Sequence, residues 1–349
     1  MTRFSGEQGK DIFDILIRHY TVIAPVEKPG KGRFSDTGLV AYERVESFDE
    51  IEFFKKTYFS AKSVLLPPRQ TMFSFRDNKM EEADSQIRPT IIFLRSCDIH
   101  ALKVLDAHFL NSGGCTDFYY NRLRQKVKLF LIECEKLFEN CFCVSFQTNK
   151  TDNWAAFIRK VEGGYEVQIR DEELKAYFPD NAEDISGPQF VEQDTSPVNI
   201  PQEIDVSIFE DDLWKEYTLR CIACGRCTIS CPTCSCFSVQ DILSEDMTFP
   251  QGRGKSIPLD KSGGERKRLW SSCMVKKFSL LAGNHDLRTK EGDRLRYRVS
   301  HKIYDFRKKH GINMCVGCGR CDDVCPEYIS MFKCVEKINQ IIEVHSING

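Results

Sequence analysis

No stretch of the sequence approaches the roughly 18 consecutive apolar residues of a membrane-spanning helix, and no membrane span is expected. The first twenty residues, MTRFSGEQGKDIFDILIRHY, hold neither the apolar core nor the small-residue cleavage site of a secretory signal, so a cytoplasmic location is expected. An excess of basic charge is also missing. The 49 Lys and Arg face 51 Asp and Glu, a formal net charge of -2, and a chain that neutralises phosphates needs the opposite balance. No nucleic-acid partner is expected. Glycine-rich phosphate loops are absent too: there is no G-x-G-x-x-G, Gly30-Lys31-Gly32 loses its pattern at Ser35, and Gly254-Lys255-Ser256 has Phe249 where a P-loop needs its leading glycine. Both segments read as turns, leaving no support for a flavin or nicotinamide site. The seven histidines are scattered, no two at metal-ligand spacing on one element. His100 and His301 fit packing or surface roles on helices, and His285 is a weak candidate for tuning a metal centre.

Cysteine, by contrast, is abundant: 17 in 349 residues. A reducing compartment gives a chain of this size little use for disulfides, so closely packed thiols point to metal. Ten of them fall between Cys221 and Cys236 or between Cys315 and Cys325. Cys221-x2-Cys224-x2-Cys227-x3-Cys231-Pro232 and Cys315-x2-Cys318-x2-Cys321-x3-Cys325-Pro326 are two copies of the bacterial ferredoxin run. Three thiolates at intervals of three let one loop wrap three corners of a cubane, and the fourth, followed by proline, reaches the other cluster. Two [4Fe-4S] clusters are therefore expected. Cluster 1 would lie on Cys221, Cys224, Cys227 and Cys325, and cluster 2 on Cys315, Cys318, Cys321 and Cys231. Gly225 and Gly319 are expected to let backbone N-H groups approach the sulfurs. Zinc ribbons space their CxxC pairs a dozen or more residues apart, which does not fit four thiols within eleven residues, twice.

Cys97 and Cys134 follow two expected strands, and Cys141 and Cys143 lie in the loop after the second. Ligands of open parallel sheets gather at the carboxyl ends of strands, so these four thiols are candidates for a third cluster; the competing assignment is inert buried thiols. Cys234, Cys236 and Cys273 form another candidate set, short of a fourth thiol, while Cys115 and Cys334 read as packing residues. A sirohaem quartet, C-x5-C then C-x3-C, occurs formally as Cys221, Cys227, Cys321 and Cys325, but the ferredoxin runs already use all four. No catalytic residues are assigned, and the chain is not expected to reduce a substrate itself.

The expected fold is mixed, α+β or α/β. Residues 1-170 form an α/β domain, 171-212 an acidic linker or strap, and 213-349 an α-helical ferredoxin-like domain with both cluster motifs. Helical spacing of Ile12, Phe13, Leu16 and Ile17 marks a helix over residues 8-20, and Leu39 to Val45 and Val64 to Leu66 read as short strands. Thr90 to Leu94 (TIIFL) reads as a doubly buried strand, Asp98 to Phe109 as a helix and Val127 to Ile132 as the next strand, together a parallel β-α-β unit. Ala156 to Val161 and Tyr165 to Arg170 read as a hairpin. Residues 171-212 carry thirteen acidic residues against one lysine, with Pro179, Pro188, Pro197 and Pro201 breaking long elements. The 83 residues between Cys231 and Cys315 are expected to be predominantly helical and to pack over the clusters. Residues 252-310 hold 17 Lys or Arg against 6 Asp or Glu, either a solvated face or a docking surface for an acidic partner.

GRFSDT (32-37), RSCDIHAL (95-102), LIECEKLFENCFCVSFQTNKTD (131-152), CPTCSC (231-236), SSCM (271-274), RLRYR (294-298) and CVGCGRCDDVCP (315-326) together give a sequence that resembles the A subunits of anaerobic sulfite reductases over nearly its whole length. The β subunits of soluble sulfhydrogenases share the CDxxAL, CFC and CPTCxC elements and are the second family it resembles. Asn284 departs from the pattern, standing where a second glycine of an AGGH motif is expected. The resemblance implies an electron-transfer iron-sulfur subunit. Electrons would come from an NADH-oxidising flavin subunit and leave to a sirohaem subunit that reduces sulfite to sulfide; the second family implies a hydrogenase or sulfur reductase complex instead.

Overall fold

A computed structural model of the chain describes residues 2-34, 36-76, 79-83, 86-179, 186-243 and 263-348. The turn expected at Gly254-Lys255-Ser256 and part of the basic segment 252-310 lie outside these residues. Among those described, no helix is long and apolar enough to cross a membrane.

The main sheet uses β1 (Thr2–Ser5), β2 (Thr21–Lys28) and β3 (Leu39–Arg44). The strands β4 (Arg69–Arg76) and β5 (Lys79–Glu82) belong to a second sheet. The first sheet resumes with β6 (Thr90–Leu94), β7 (Val127–Ile132), β8 (Ala156–Val161) and β9 (Gly164–Ile169), in the order β1-β9-β8-β7-β6-β2-β3. Its centre is parallel from β2 through β6 and β7 to β8, and β1, β9 and β3 run antiparallel at the edges. The TIIFL run is apolar throughout because both of its faces are covered. Ile91 and Phe93 enter one core with Phe13, Leu16 and Phe130, while Ile92 and Leu94 enter the other with Leu105, Tyr120 and Phe157.

Helix α1 (Gly6–His19) starts at a reciprocal cap: Ser5 accepts from the Gln8 N-H and Gln8 accepts from the Ser5 N-H. It buries Ile12, Phe13 and Leu16. Helix α2 (Ser96–Phe109) is the crossover from β6 to β7. The expected strand at Val64 to Leu66 is instead a 3-10 turn, Ala61–Val64, and the Lys62 carbonyl accepts from the Leu65 and Leu66 N-H groups. Burial of both leucines explains the apolar run without any sheet partner.

Past the acidic segment come α5 (Leu213–Arg220) and α6 (Arg226–Ile229), after the short helices α3 (Phe118–Arg124) and α4 (Glu172–Lys175). The stretch between the cysteine runs is less helical than expected. It contains β10 (Phe237–Leu243) and β11 (Gly264–Trp270), which extend the second sheet in the order β10-β11-β4-β5. Residues GERKRLW of β11 pair with β10 on one side and β4 on the other, with a register shift against β4 between Arg266 and Lys267; Gly264 and Arg268 are buried and Arg266 is exposed. Strands from both sides of residues 171-212 thus share one sheet. Helix α7 (Glu291–Ser300), a π-helical turn at His301–Asp305 and α8 (Phe306–His310) make up the helix expected from Leu295 to His310. The chain closes with α9 (Arg320–Asp323) and α10 (Met331–Asn348).

The acidic segment spends its charge internally. Asp171 and Glu173 pair with Lys128, Asp194 accepts from the Val144 and Ser145 N-H groups and the Ser145 hydroxyl, and Glu203 accepts from Tyr304. In the described part of the basic segment, Arg266, Arg268, Arg294 and Arg296 pair with Asp241, Asp117, Asp286 and Asp293.

Candidate metal centres

The first cysteine run folds as a loop that ends in α6, the second as a loop that ends in α9, and these two short helices pack together. Gly225 and Gly319 occupy the residue before each helix in the left-handed conformation, with φ of 74° and 68°. Two residues earlier, Ala223 and Gly317 also have positive φ, 54° and 62°. An alanine bears this at a cost of about 1–2 kcal/mol. At Gly317 no side chain would fit, since a Cβ there would stand 2.4 Å from the Phe142 carbonyl oxygen; at Gly319 it would stand 2.2 Å from that of Asn140. The N-terminal CFC loop therefore packs directly on the backbone of the second run. The hydrogen bonds expected at the sulfurs come from other residues than Gly225 and Gly319: Ala223 N-H donates to Cys221 Sγ (3.4 Å), Gly317 N-H to Cys315 Sγ (3.5 Å) and Ile329 N-H to Cys325 Sγ (3.3 Å).

Cys221, Cys224, Cys227 and Cys325 line one cavity, together with Cys321, Arg298 and the apolar side chains of Met274, Leu295, Ile329 and Met331. Cys221 lies in the electrostatic field of Cys227, Cys325 and Cys224. Cys231 does not line this cavity; its charge is felt by Cys315, Cys318 and Cys321 and also by Cys227. Burial pushes the thiols up, Cys315 to about 12 and Cys318 to about 11, because a lone thiolate in apolar surroundings loses its hydration. Metal is the natural compensation for thiolates placed so. A soft, all-sulfur donor set in an apolar shell fits a [4Fe-4S] cluster and offers nothing to a hard cation.

Of the other thiols, Cys134, Cys141 and Cys143 lie within electrostatic reach of one another, and Cys97 lies by Cys143 and Cys318. Cys141 donates to the Cys318 carbonyl (3.3 Å), and Lys56 Nζ is 3.7 Å from its sulfur. Cys234 lies beside Cys231, and Cys236 beside Cys273. Among the described residues, no group of three or more His, Cys, Asp or Glu is arranged to hold a single metal ion. Cys334 is buried against Tyr217, whereas Cys115 is exposed. His100 Nε2 is 2.8 Å from the Lys150 carbonyl and His301 stacks on Tyr297, while His285 is exposed and lines no thiol cavity. Asn284 adopts φ 65°, a conformation glycine takes freely and asparagine tolerates, so the departure leaves the turn intact.

A feature that spacing did not reveal joins the two halves. Arg320, between two expected ligands, forms a two-pronged ion pair with Asp98 at the start of α2 (2.7 and 2.8 Å), and its Nε and Nη2 donate to Thr57. Both charged side chains are buried. The CDIHAL motif, with its aspartate, was the available signal.

Residues 220–329 match the family profile described as a 4Fe-4S dicluster domain. Over 97% of this chain and 98% of the relative, the sequence is 29% identical to "Sulfhydrogenase 2 subunit beta" of Pyrococcus furiosus. No solved structure matches. Residues 220–329 are thus similar to dicluster domains of the [4Fe-4S] type, in a sequence similar over nearly its whole length to a sulfhydrogenase beta subunit.

Proposed function

We propose that the chain is the electron-transfer iron-sulfur subunit of a multi-subunit oxidoreductase. The carrying observation is the pair of complete ferredoxin runs, within a segment that matches the dicluster profile. Cluster 1 is assigned to Cys221, Cys224, Cys227 and Cys325, and cluster 2 to Cys315, Cys318, Cys321 and Cys231. Bound there, [4Fe-4S] clusters supply one-electron transfer. The chain's own residues hold the thiols in register, donate N-H groups to the sulfurs from Ala223, Gly317 and Ile329, and shield the first site with Met274, Leu295 and Met331.

The motifs quoted above favour a sulfite reductase, in which a flavin subunit oxidises NADH and a sirohaem subunit reduces sulfite. The similarity to a sulfhydrogenase beta subunit favours the second reading, the same carrier role in a hydrogenase or sulfur reductase complex. The subunits that co-purify anaerobically discriminate the two. The proposed organisation keeps an α/β unit over residues 1-170, an acidic strap over 171-212 and the ferredoxin-like unit from 213.

Iron and sulfide analysis of the anaerobically purified chain, with EPR of the reduced state, tests the assignment. Two interacting [4Fe-4S] centres and eight irons are expected from the ferredoxin runs. Cys97, Cys134, Cys141 and Cys143 are the candidates for a third cluster, against the alternative of inert buried thiols: a third cluster raises iron to twelve, and changing all four to Ala then returns it to eight. Full iron and an unchanged spectrum in that variant would leave those thiols as packing residues.

A further inference from the structure

Among the described residues, three buried cations face a carboxylate: Arg268 faces Asp117, Arg294 on α7 faces Asp286 at 2.7 Å, and Arg320 faces Asp98. Two more, Lys62 and Arg95, donate to backbone carbonyls. Arg298 and Lys302 lie on the same helical stretch as Arg294. They are 4% and 2% exposed, and neither forms an ion pair among the described residues. The Arg298 guanidinium reaches only the Met331 sulfur (3.8 Å) and the Cys227 carbonyl (3.4 Å), and its Nε has no partner. Lys302 Nζ donates to the Thr233 hydroxyl (2.8 Å), which itself lies 3.3 Å from Cys231 Sγ. Asp322, a carboxylate that feels the Arg298 charge, spends its oxygens on Ser330, the Met331 N-H and Cys321.

The anions that remain are sulfurs. Arg298 lines the cavity of Cys221, Cys224, Cys227 and Cys325. Lys302 lies in the field of Cys231, Cys234 and Cys315. The two cations are four residues apart, and the π-helical turn begins between them at His301. Inserted π turns recur at functional sites, where they reset the direction of a side chain. Like charges at this spacing repel on a helix, so a buried pair needs negative charge in front of both.

We propose that Arg298 and Lys302 are the counter-charges of the two metal centres, Arg298 serving cluster 1 and Lys302 cluster 2, and that they set the reduction potentials; this rests on the cluster assignment proposed above. A fixed cation beside a cluster favours the reduced form, which carries one more negative charge. Removing it makes the centre harder to reduce.

The test uses the full-length chain, purified anaerobically, with iron counted before an EPR-monitored redox titration. Lys302→Met should hold as much iron as the unaltered chain and lower the reduced-to-oxidised ratio of the Cys315, Cys318 and Cys321 centre at least tenfold at fixed potential, a midpoint shift of about 59 mV for one electron. Arg298→Met should do the same to the Cys221 centre. Lys302→Arg and Arg298→Lys, which keep the charge, should stay within about threefold of the unaltered chain. A Lys302→Met protein with full iron and an unshifted midpoint would overturn the proposal. If Lys302→Met loses iron, retention by Lys302→Arg supports it, and loss in both overturns it, because shape and not charge is then required. An unaltered chain lacking two [4Fe-4S] centres defeats the cluster assignment itself, and this inference with it.

Discussion

Asp98→Ala should destabilise the folded chain by about 3–5 kcal/mol, the cost of stranding one partner of a buried ion pair. The change leaves the Arg320 guanidinium buried with only the Thr57 hydroxyl and carbonyl as acceptors. Burial separates this pair from the others. Lys333 and Glu336 also meet at 2.7 Å, but in solvent, where such a pair contributes about 0–1 kcal/mol. The lost contact is also a joint, since Asp98 starts the helix that crosses the N-terminal sheet and Arg320 sits within the second cysteine run. Destabilisation should therefore reach the metal centres and weaken retention of iron by the Cys315, Cys318 and Cys321 set. Anaerobic urea unfolding of Asp98→Ala beside Lys333→Ala checks the magnitude. A loss below about 1 kcal/mol would mean the pair is not the joint described here.

Cys231→Ser should remove one whole centre, and not the one its position in the chain indicates. Cys231 follows Cys221, Cys224 and Cys227 in sequence, yet its charge reaches Cys315, Cys318 and Cys321 as well as Cys227, and the crossed ligation proposed above gives it to the second set. A serine oxygen is a hard, weakly acidic ligand and a poor substitute for thiolate on iron. The EPR signal that disappears should be the one lost in Cys318→Ser, and the signal lost in Cys224→Ser should survive. If Cys231→Ser and Cys224→Ser abolish the same signal, ligation stays within each run and the crossed assignment fails.

The parts of this architecture with local causes were legible in the sequence. TIIFL could only be a strand covered on both faces, and VKLFLI and the Gly163-Gly164 hairpin followed from the same patterning. The cluster motifs were equally plain, because ligand spacing along one loop is a local property. What escaped was set by tertiary packing. Val64 to Leu66 imitates a strand because a buried turn needs the same apolar side chains. GERKRLW reads as a charged helical face, and only its partner strands β4 and β10 reveal it as a sheet member. The close approach of the CFC loop to Gly317 and Gly319 explains why glycine stands there, whereas access of N-H groups to sulfur was the expected reason. Arg298 and Lys302 looked like members of a basic surface. Their burial beside thiols is visible only once the helix is placed.

The proposed electron-carrier role makes a simple demand on one experiment, an anaerobic dithionite titration followed by the visible absorbance of the iron-sulfur clusters. The colour should bleach as the clusters take up one electron each and should stay bleached when sulfite is added to the chain alone. NADH, in place of dithionite and without a flavin subunit, should leave it unchanged. A colourless protein, bleaching by NADH alone, or colour restored by sulfite with sulfide formed would contradict the account.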